Sequence, residues 1–270
     1  MSNALIGYSG FVGSILCKQT VFSSIYRSNS IGEIDGQSMQ TVVCAAAPAQ
    51  KWLANRDPLA DRQNIDILID HLKTVTCQTF ILISTVDVFK EPIGVDENTL
   101  VDEEGLHAYG LHRRLLEKFV QGHFANHLIV RLPGLVGPGL RKNVIFDFLN
   151  DNNLEAIDSR GVFQFYPMVN LWWDIQAALH AGLKLVHLTA EPISVAAVSL
   201  QGFGKPFDHP GTKTPARYDL RTRYAAVFGA SGHYQYSQRE TIQAVRAYAQ
   251  SEPRMASAHP TQPTPAGAIT

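Results

Sequence analysis

The sequence predicts an α/β protein built on a doubly wound parallel sheet. Three observations carry this. A short apolar run, Ala4-Leu5-Ile6, ends at Gly7, and evenly spaced glycines lead from it into a helical apolar pattern at Val12, Ile15 and Leu16. Unbroken β-rich runs then alternate with helical patterns as far as Leu132. After Pro133 the alternation gives way to a loop rich in glycine and proline, followed by shorter mixed segments. Strands that alternate with helices need crossover connections, so they run parallel and the helices cover both faces of the sheet.

Taken in order, residues 4–6 read as the first strand, 11–20 as the first helix and 21–26 as a short second strand. Residues 41–46 (TVVCAA) form an unbroken run suited to a strand buried on both faces. Residues 57–76 place Leu59, Ile65, Leu68, Ile69 and Leu72 at helical spacing. Residues 80–84 (FILIS) and 128–132 (LIVRL) are further buried strands. Between them, residues 105–125 carry an apolar stripe of Leu111, Leu115, Leu116, Phe119 and Val120. Beyond the loop, residues 144–149, 171–181, 218–228 and 238–249 read as helices, and 162–166 and 184–188 as extended. From residue 251 onward Pro, Ala, Thr and Ser dominate without periodicity, the mark of a disordered tail.

Composition excludes several classes. The 270 residues are 45% hydrophobic, enough for a substantial core, and the net charge of −1 gives no argument for a nucleic-acid partner. No apolar run is long enough for a membrane span, and no secretion signal opens the chain. Cys17, Cys44 and Cys77 sit in apolar surroundings without C-x-x-C spacing, and read as reduced core thiols of a cytoplasmic protein. The pair His123/His127 has metal-clasping spacing but no third ligand at a suitable distance, so no metal is expected.

The chemistry concentrates in three places. Gly7, Gly10 and Gly13, with Phe11 and Val12 between them, form a turn between strand and helix. Such a turn offers a phosphate close backbone N–H groups and the positive end of a helix dipole, which points to a dinucleotide. Ser84-Thr85-Val86-Asp87 closes a strand, and Tyr109-Gly110-Leu111-His112-Arg113 opens the next long helix, with Tyr109 and Arg113 on one helix face. In an open parallel sheet, ligands bind outside the carboxyl ends of the strands, so all three segments share a crevice.

These residues resemble the extended short-chain dehydrogenase/reductases of the nucleotide-sugar epimerase/dehydratase group over residues 3–250. The resemblance implies a Rossmann-type sheet spanning residues 1–135, a small C-terminal substrate-binding α/β region spanning 136–250, and a tail at 251–270. It implies Thr85 and Tyr109 as catalytic residues and places position 113 where the family has the lysine of Y-x-x-x-K. Here that residue is Arg113. It implies that Gly7, Gly10, Phe11, Val12, Gly13, Ala46, Asn64 and Pro133 line the cofactor. Arg131 to Gly139 is similar to the family stretch that passes the nicotinamide and enters the substrate site. Val86 occupies the position of a dehydratase acid, which disfavours elimination and leaves Asp87 as a substrate-side residue.

Lowering a tyrosine from about 10 to about 7 takes roughly 4 kcal/mol of preferential phenolate stabilisation, which a cation and an oxidised nicotinamide can share. Arg113 supplies charge and ribose hydrogen bonds but stays protonated, so a water or ribose hydroxyl has to carry the proton onward. Twenty residues past Gly7 the chain has Arg27 and Ser28 in place of an acid. A cation and a hydroxyl there favour NADP(H) over NAD(H), the alternative being an Arg27 that only faces solvent. Arg141, Lys142 and Asn143 before a helix suit a substrate phosphate, or else a solvent-facing helix start. Gln164 and Tyr166, with Trp172 and Trp173, are candidates for the pocket wall, or else for the core. The expected activity is NAD(P)-dependent hydride transfer at a hydroxyl or carbonyl of a sugar or nucleotide sugar, by a homodimer formed as in relatives. The alternative is a catalytically weak or inactive NAD(P)-binding regulatory protein of the same fold, kept open by Arg113.

Overall fold

The computed structural model describes residues 2–255. The chain runs from strand β1 (Asn3–Ile6) through helix α1 (Phe11–Gln19), β2 (Ser24–Tyr26) and β3 (Ser38–Cys44) to α2 (Lys51–Arg56) and α3 (Pro58–Leu72). There follow β4 (Thr76–Thr85), β5 (Ile93–Val95), α4 (Ala108–His123), β6 (His127–Leu132), β7 (Gly134–Val136) and α5 (Val144–Asn150). The last third holds β8 (Val162–Phe163), β9 (Phe165–Pro167), α6 (Leu171–His180), β10 (Leu185–His187), β11 (Ile193–Ser194) and α7 (Val195–Ala197). Then come β12 (Asp219–Leu220) and α8 (Gln238–Ser251).

Six strands form one parallel sheet in the order β10-β6-β4-β3-β1-β2. The expected doubly wound sheet is therefore present. The chain winds outward from β1 in both directions, so the order reverses between β1 and β3, and a crevice opens at the carboxyl ends of those two strands.

Alternate residues of each strand serve opposite faces, which is why the strands read as continuous apolar runs. Ala4, Ile6, Val42, Cys44, Phe80, Leu82 and Ile129 meet Ile65, Leu68, Ile69 and Leu72 of α3 and Leu116 and Val120 of α4. Leu5, Val43, Ile81, Ile83, Leu128, Val130 and Val186 meet Ile15 and Leu16 of α1 and Leu171, Ile175 and Ala178 of α6. A third cluster, with Leu140, Ile145, Phe148, Val195, Val198, Ile242 and Val245, gathers α5, α7 and α8 around β7 and β9. Local chemistry sets the helix starts. Asp57 accepts from Ala60 N with Pro58 in the first turn of α3, and Ser237 and Glu240 form a reciprocal capping box on α8.

Several expectations need correction. Residues 218–228 are not a helix: Leu220 pairs with β5, Tyr218 stacks on Phe163 at 5.5 Å, and only Ala225–Phe228 makes a short 3-10 turn. Tyr218 and Leu220 alternate at strand period, a signal too short to outweigh the apolar composition around it. Helix α2 was not foreseen. Residues 162–166 split into two short strands in separate sheets. Cys17 is exposed, since α1 buries Gly13, Ile15 and Leu16 instead. Of the expected tail, Ser251 closes α8, and residues 256–270 lie outside the described residues. No helix among the described residues is long and apolar enough to cross a membrane.

His187, on the edge strand β10, is fully buried. Its Nδ1 donates to Arg221 O (2.9 Å) and its Nε2 accepts from Arg131 Nη1 at 3.4 Å. Burial, with Arg131 adding, pushes its pKa down to about 3. The unfolded chain, with His187 titrating at about 6.5, then binds the proton that the folded chain refuses. Stability therefore rises with pH across that window. In urea unfolding between pH 4 and 7, His187→Gln is expected to flatten this rise, and an unchanged slope would refute the assignment.

Candidate active site

The glycine turn is built by close approach. Gly7 has φ +91°, and a Cβ there would lie 2.5 Å from Ala45 O; a Cβ on Gly13 would lie 2.1 Å from Gly7 O. Gly7 N donates to Tyr26 O (2.8 Å) and Gly10 N to Gly7 O (3.1 Å), fastening the turn to β2 and to itself. Gly10 caps α1 with no side-chain hydrogen bond, and the first turn of α1 holds no acid. Free N–H groups and an uncompensated dipole end thus face the crevice.

The crevice is a cleft of about 1080 Å³. Gly7, Gly10, Phe11 and Val12 line it at one end, with Arg27 and Ser28 from the end of β2, Ala46 after β3, Asn64 on α3 and Pro133 after β6. Gly13 stands behind the turn, where its missing Cβ lets α1 close on Gly7. Arg27 is exposed, and its Nε donates to Asn29 Oδ1 (2.7 Å). A glycine cradle at an open helix end, with a cation nearby, fits the dinucleotide phosphates read from the sequence.

Thr85, Asp87, Tyr109 and Arg113 line the same cleft. The start of α4 is pinned from three sides. His107 Nδ1 accepts from Gly110 N (3.0 Å), and Asn55 Oδ1 accepts from Tyr109 N (2.9 Å). A Cβ on Gly110 would meet Asp87 O at 2.1 Å, so the helix rests directly on the turn after β4. Thr85 Oγ1 accepts from Asp87 N at 3.1 Å.

The Arg113 guanidinium lies 4.0 Å from the centre of the Tyr109 ring. It is almost wholly buried, donates through Nη1 to Asp61 Oδ2 (2.5 Å) and Tyr109 O (3.3 Å), and through Nη2 to Pro48 O. His112 Nδ1 also bonds Asp61 Oδ2, at 2.7 Å. Most of the Arg113 fork is held by protein acceptors and its charge is paired with Asp61, while its Nε has no partner among the described residues and the residue lines the cleft. On the Tyr109 phenol, Arg113 acts in the expected direction, against the effect of burial. Burial pushes the Tyr109 phenol above its ordinary value; Arg113 opposes this, Asp87 reinforces it, and the Thr85 hydroxyl and Lys51 oppose it.

A second ion pair, unforeseen in the sequence, stands across the phenol. Lys51 Nζ on α2 donates to Asp87 Oδ1 (2.7 Å) and to the Tyr218 hydroxyl (3.4 Å), which in turn donates to Asp87 Oδ1 at 3.3 Å. The cation of Lys142 reaches Ala49 O across the cleft, and burial, with Arg113 adding, lowers its pKa. Of the residues expected on the substrate side, Asn143 lines the cleft, but its amide is committed to Leu135 O (2.9 Å) and to capping α5 through Ile145 N (2.9 Å). Arg141 is exposed and does not line the cleft. Tyr166 is fully buried and donates to Asp174 Oδ2 at 2.6 Å, a core position. Trp172 packs on Phe22, and Trp173 is exposed. Lys51 and Asn55 were missed because α2 is one short turn-rich helix, and Asp61 and Tyr218 because their partners are distant in sequence.

The close approach at Gly110 gives a test. Gly110→Ala is expected to lift the first turn of α4 off Asp87 O and to destabilise the protein by about 1–3 kcal/mol. Urea unfolding reads this; a midpoint equal to that of the unaltered protein would show that the turn has room to spare.

No protein-family model and no curated protein sequence matches the chain. Solved structures do. A dTDP-4-dehydrorhamnose reductase from Clostridium acetobutylicum superposes with a TM-score of 0.70 at 17% identity, covering 93% of this chain and 99% of that one. The dTDP-4-dehydrorhamnose reductase of Yersinia enterocolitica gives 0.70 at 15% identity, covering 93% and 99%. A UDP-glucose 4-epimerase from Thermotoga maritima, solved with UDP-glucose, gives 0.68 at 14% identity, covering 93% and 98%. At these identities the likeness establishes the fold, a Rossmann-type doubly wound sheet extended at its C-terminal end.

Proposed function

We propose that this chain is an NAD(P)-dependent oxidoreductase or epimerase acting on a hydroxyl or carbonyl of a sugar or nucleotide sugar. The observation that carries the reading is the opening of the Gly7–Gly13 cradle, the Thr85 hydroxyl and the Tyr109 phenol onto one cleft at the carboxyl ends of the strands. Neighbours of the same fold are reductases and epimerases of nucleotide sugars, which supports the substrate class.

The cofactor, when bound, supplies the nicotinamide carbon that gives or takes hydride. The protein does the rest. The cradle N–H groups would hold the pyrophosphate, and Arg27 and Ser28 would meet the adenosine ribose, where a guanidinium suits a 2′-phosphate. In the reducing direction Tyr109 donates its proton to the substrate oxygen, while Thr85 hydrogen-bonds that oxygen. A phenol held protonated by burial is suited to this acid role at neutral pH. Asp87 and Lys142 face the substrate side.

The second reading is an NAD(P)-binding regulatory protein with weak or no turnover. The tie of Arg113 to Asp61 and Pro48 favours it, because the cation that relatives use as a lysine is not free here.

Parallel titrations with NADPH and NADH, followed by nicotinamide fluorescence, test the cofactor. NADPH is expected to bind more tightly, and Arg27→Ala to weaken NADPH about tenfold or more while sparing NADH. Tyr109→Phe is expected to cut turnover of a ketosugar nucleotide by about 10²–10⁴ with cofactor affinity unchanged. Full turnover without the phenol would overturn the assignment of Tyr109 as the proton donor, and turnover absent in both forms would favour the regulatory reading.

A further inference from the structure

We propose that the Lys51–Asp87 ion pair, braced by Tyr218, is a positioning device that sets the charge facing Tyr109 and Thr85, a task Arg113 cannot perform alone. The inference rests on Tyr109 as the acid/base group.

The geometry is asymmetric. Asp87 Oδ1 is occupied by Lys51 Nζ at 2.7 Å and by the Tyr218 hydroxyl at 3.3 Å. Asp87 Oδ2 is left facing Thr85 Oγ1 at 3.5 Å. The carboxylate thus turns one oxygen toward the hydroxyl that pairs with the phenol, and Lys51 screens it from the far side. Three elements hold this arrangement: α2 brings Lys51, the turn after β4 brings Asp87, and the segment before β12 brings Tyr218.

The other charged groups around the phenol do not substitute for Lys51. Arg113, on the same helix, lies over the ring and opposes the raised phenol more strongly than Lys51 does, but it pairs with Asp61 from α3 and not with Asp87. His107 caps α4, and burial lowers its pKa, with Lys51 lowering it further, so it is neutral at pH 7. Lys142, from the loop before α5, is anchored to Ala49 O. Tyr109 therefore feels the charges of Arg113, Asp87 and Lys51, and of the two carboxylates it is Asp87 that meets the Thr85 hydroxyl. Taking away Asp87 leaves an unscreened cation near the phenol, which favours the phenolate. Taking away Lys51 leaves an unscreened carboxylate, which disfavours it.

The test reads the phenol itself and needs neither cofactor nor substrate, so it stands or falls apart from the enzymatic reading. In the full chain with 13Cζ-labelled tyrosine, the Tyr109 resonance is identified by its loss in Tyr109→Phe and followed with pH. Asp87→Asn is expected to move the Tyr109 transition down by about one pH unit, and Lys51→Met to move it up by a comparable amount. The double variant is expected to return close to the unaltered protein, and Lys51→Arg, which keeps the charge, to stay with it. The resonances of the other tyrosines report whether each variant is folded. A Tyr109 transition that stays put in folded Asp87→Asn, or that moves the same way in both single variants, overturns the proposal.

Discussion

The carboxylate of Glu117 decides where the helix carrying Tyr109 can sit. It is wholly buried, accepts from Ser84 Oγ (2.6 Å), takes two bonds from Arg131 (2.9 and 2.7 Å) and one from Arg114 (2.9 Å). A buried carboxylate with fewer partners is costly, and a buried Arg131 without it would cost roughly 3–5 kcal/mol. The helix therefore has one register on the sheet. Tyr109, Arg113 and Glu117 recur every four residues on one face, and Ser84 directly precedes Thr85. With Glu117 bonded to Ser84, Tyr109, two turns earlier on the same helix face, lies in the cleft that Thr85 also lines. Gly110 completes the fit by letting the helix start touch Asp87 O.

The same economy of space explains the electrostatics. Four side-chain cations, Arg27, Lys51, Arg113 and Lys142, line the cleft, and Asp87 is the carboxylate among its lining residues. Asp61 holds the Arg113 guanidinium in place, and Arg113 remains the strongest of the charges that oppose the raised Tyr109 phenol. An arginine in this place is a planar group with many donors, and the fold uses those donors to tie α3, α4 and the loop at Pro48 together. Arg113 is thus a structural joint as well as a charge over the Tyr109 ring.

Much of this was legible in the sequence where one short segment contains the whole reason. The glycine turn is readable because the backbone approach between Gly7 and Gly13 demands glycine at fixed spacing. Strands β4 and β6 are readable because both faces are covered. Thr85 and Tyr109 are readable because each lies at a strand or helix end that the topology sends to one edge. Lys51, Asp61 and Tyr218 were not readable, because their partners lie 36, 52 and 131 residues away along the chain. Tyr166 misled because an aromatic with a hydroxyl suits a pocket wall as well as a core, and only Asp174 beside it decides the matter. Asn143 misled in a different way: at φ +89° it caps α5, a backbone role that its amide chemistry does not announce.

What the C-terminal third contributes to the cleft is narrow: Phe163, Gln164 and Tyr218, with Lys142 and Asn143 from the preceding loop. Gln164 is buried, and its amide donates to Thr189 Oγ1, Ala190 O and Leu220 O while accepting from Leu220 N. Its side chain is thus fully engaged in joining β8 and β9 to β12. Tyr218, two residues before Leu220, owes its place over Asp87 to that joint and to its stacking on Phe163. Tyr218 is thus fixed indirectly, through Gln164, by a strand too short to be stable alone. A change at Gln164 would reach the cleft by releasing Tyr218 and loosening Asp87, in addition to altering the lining at its own position.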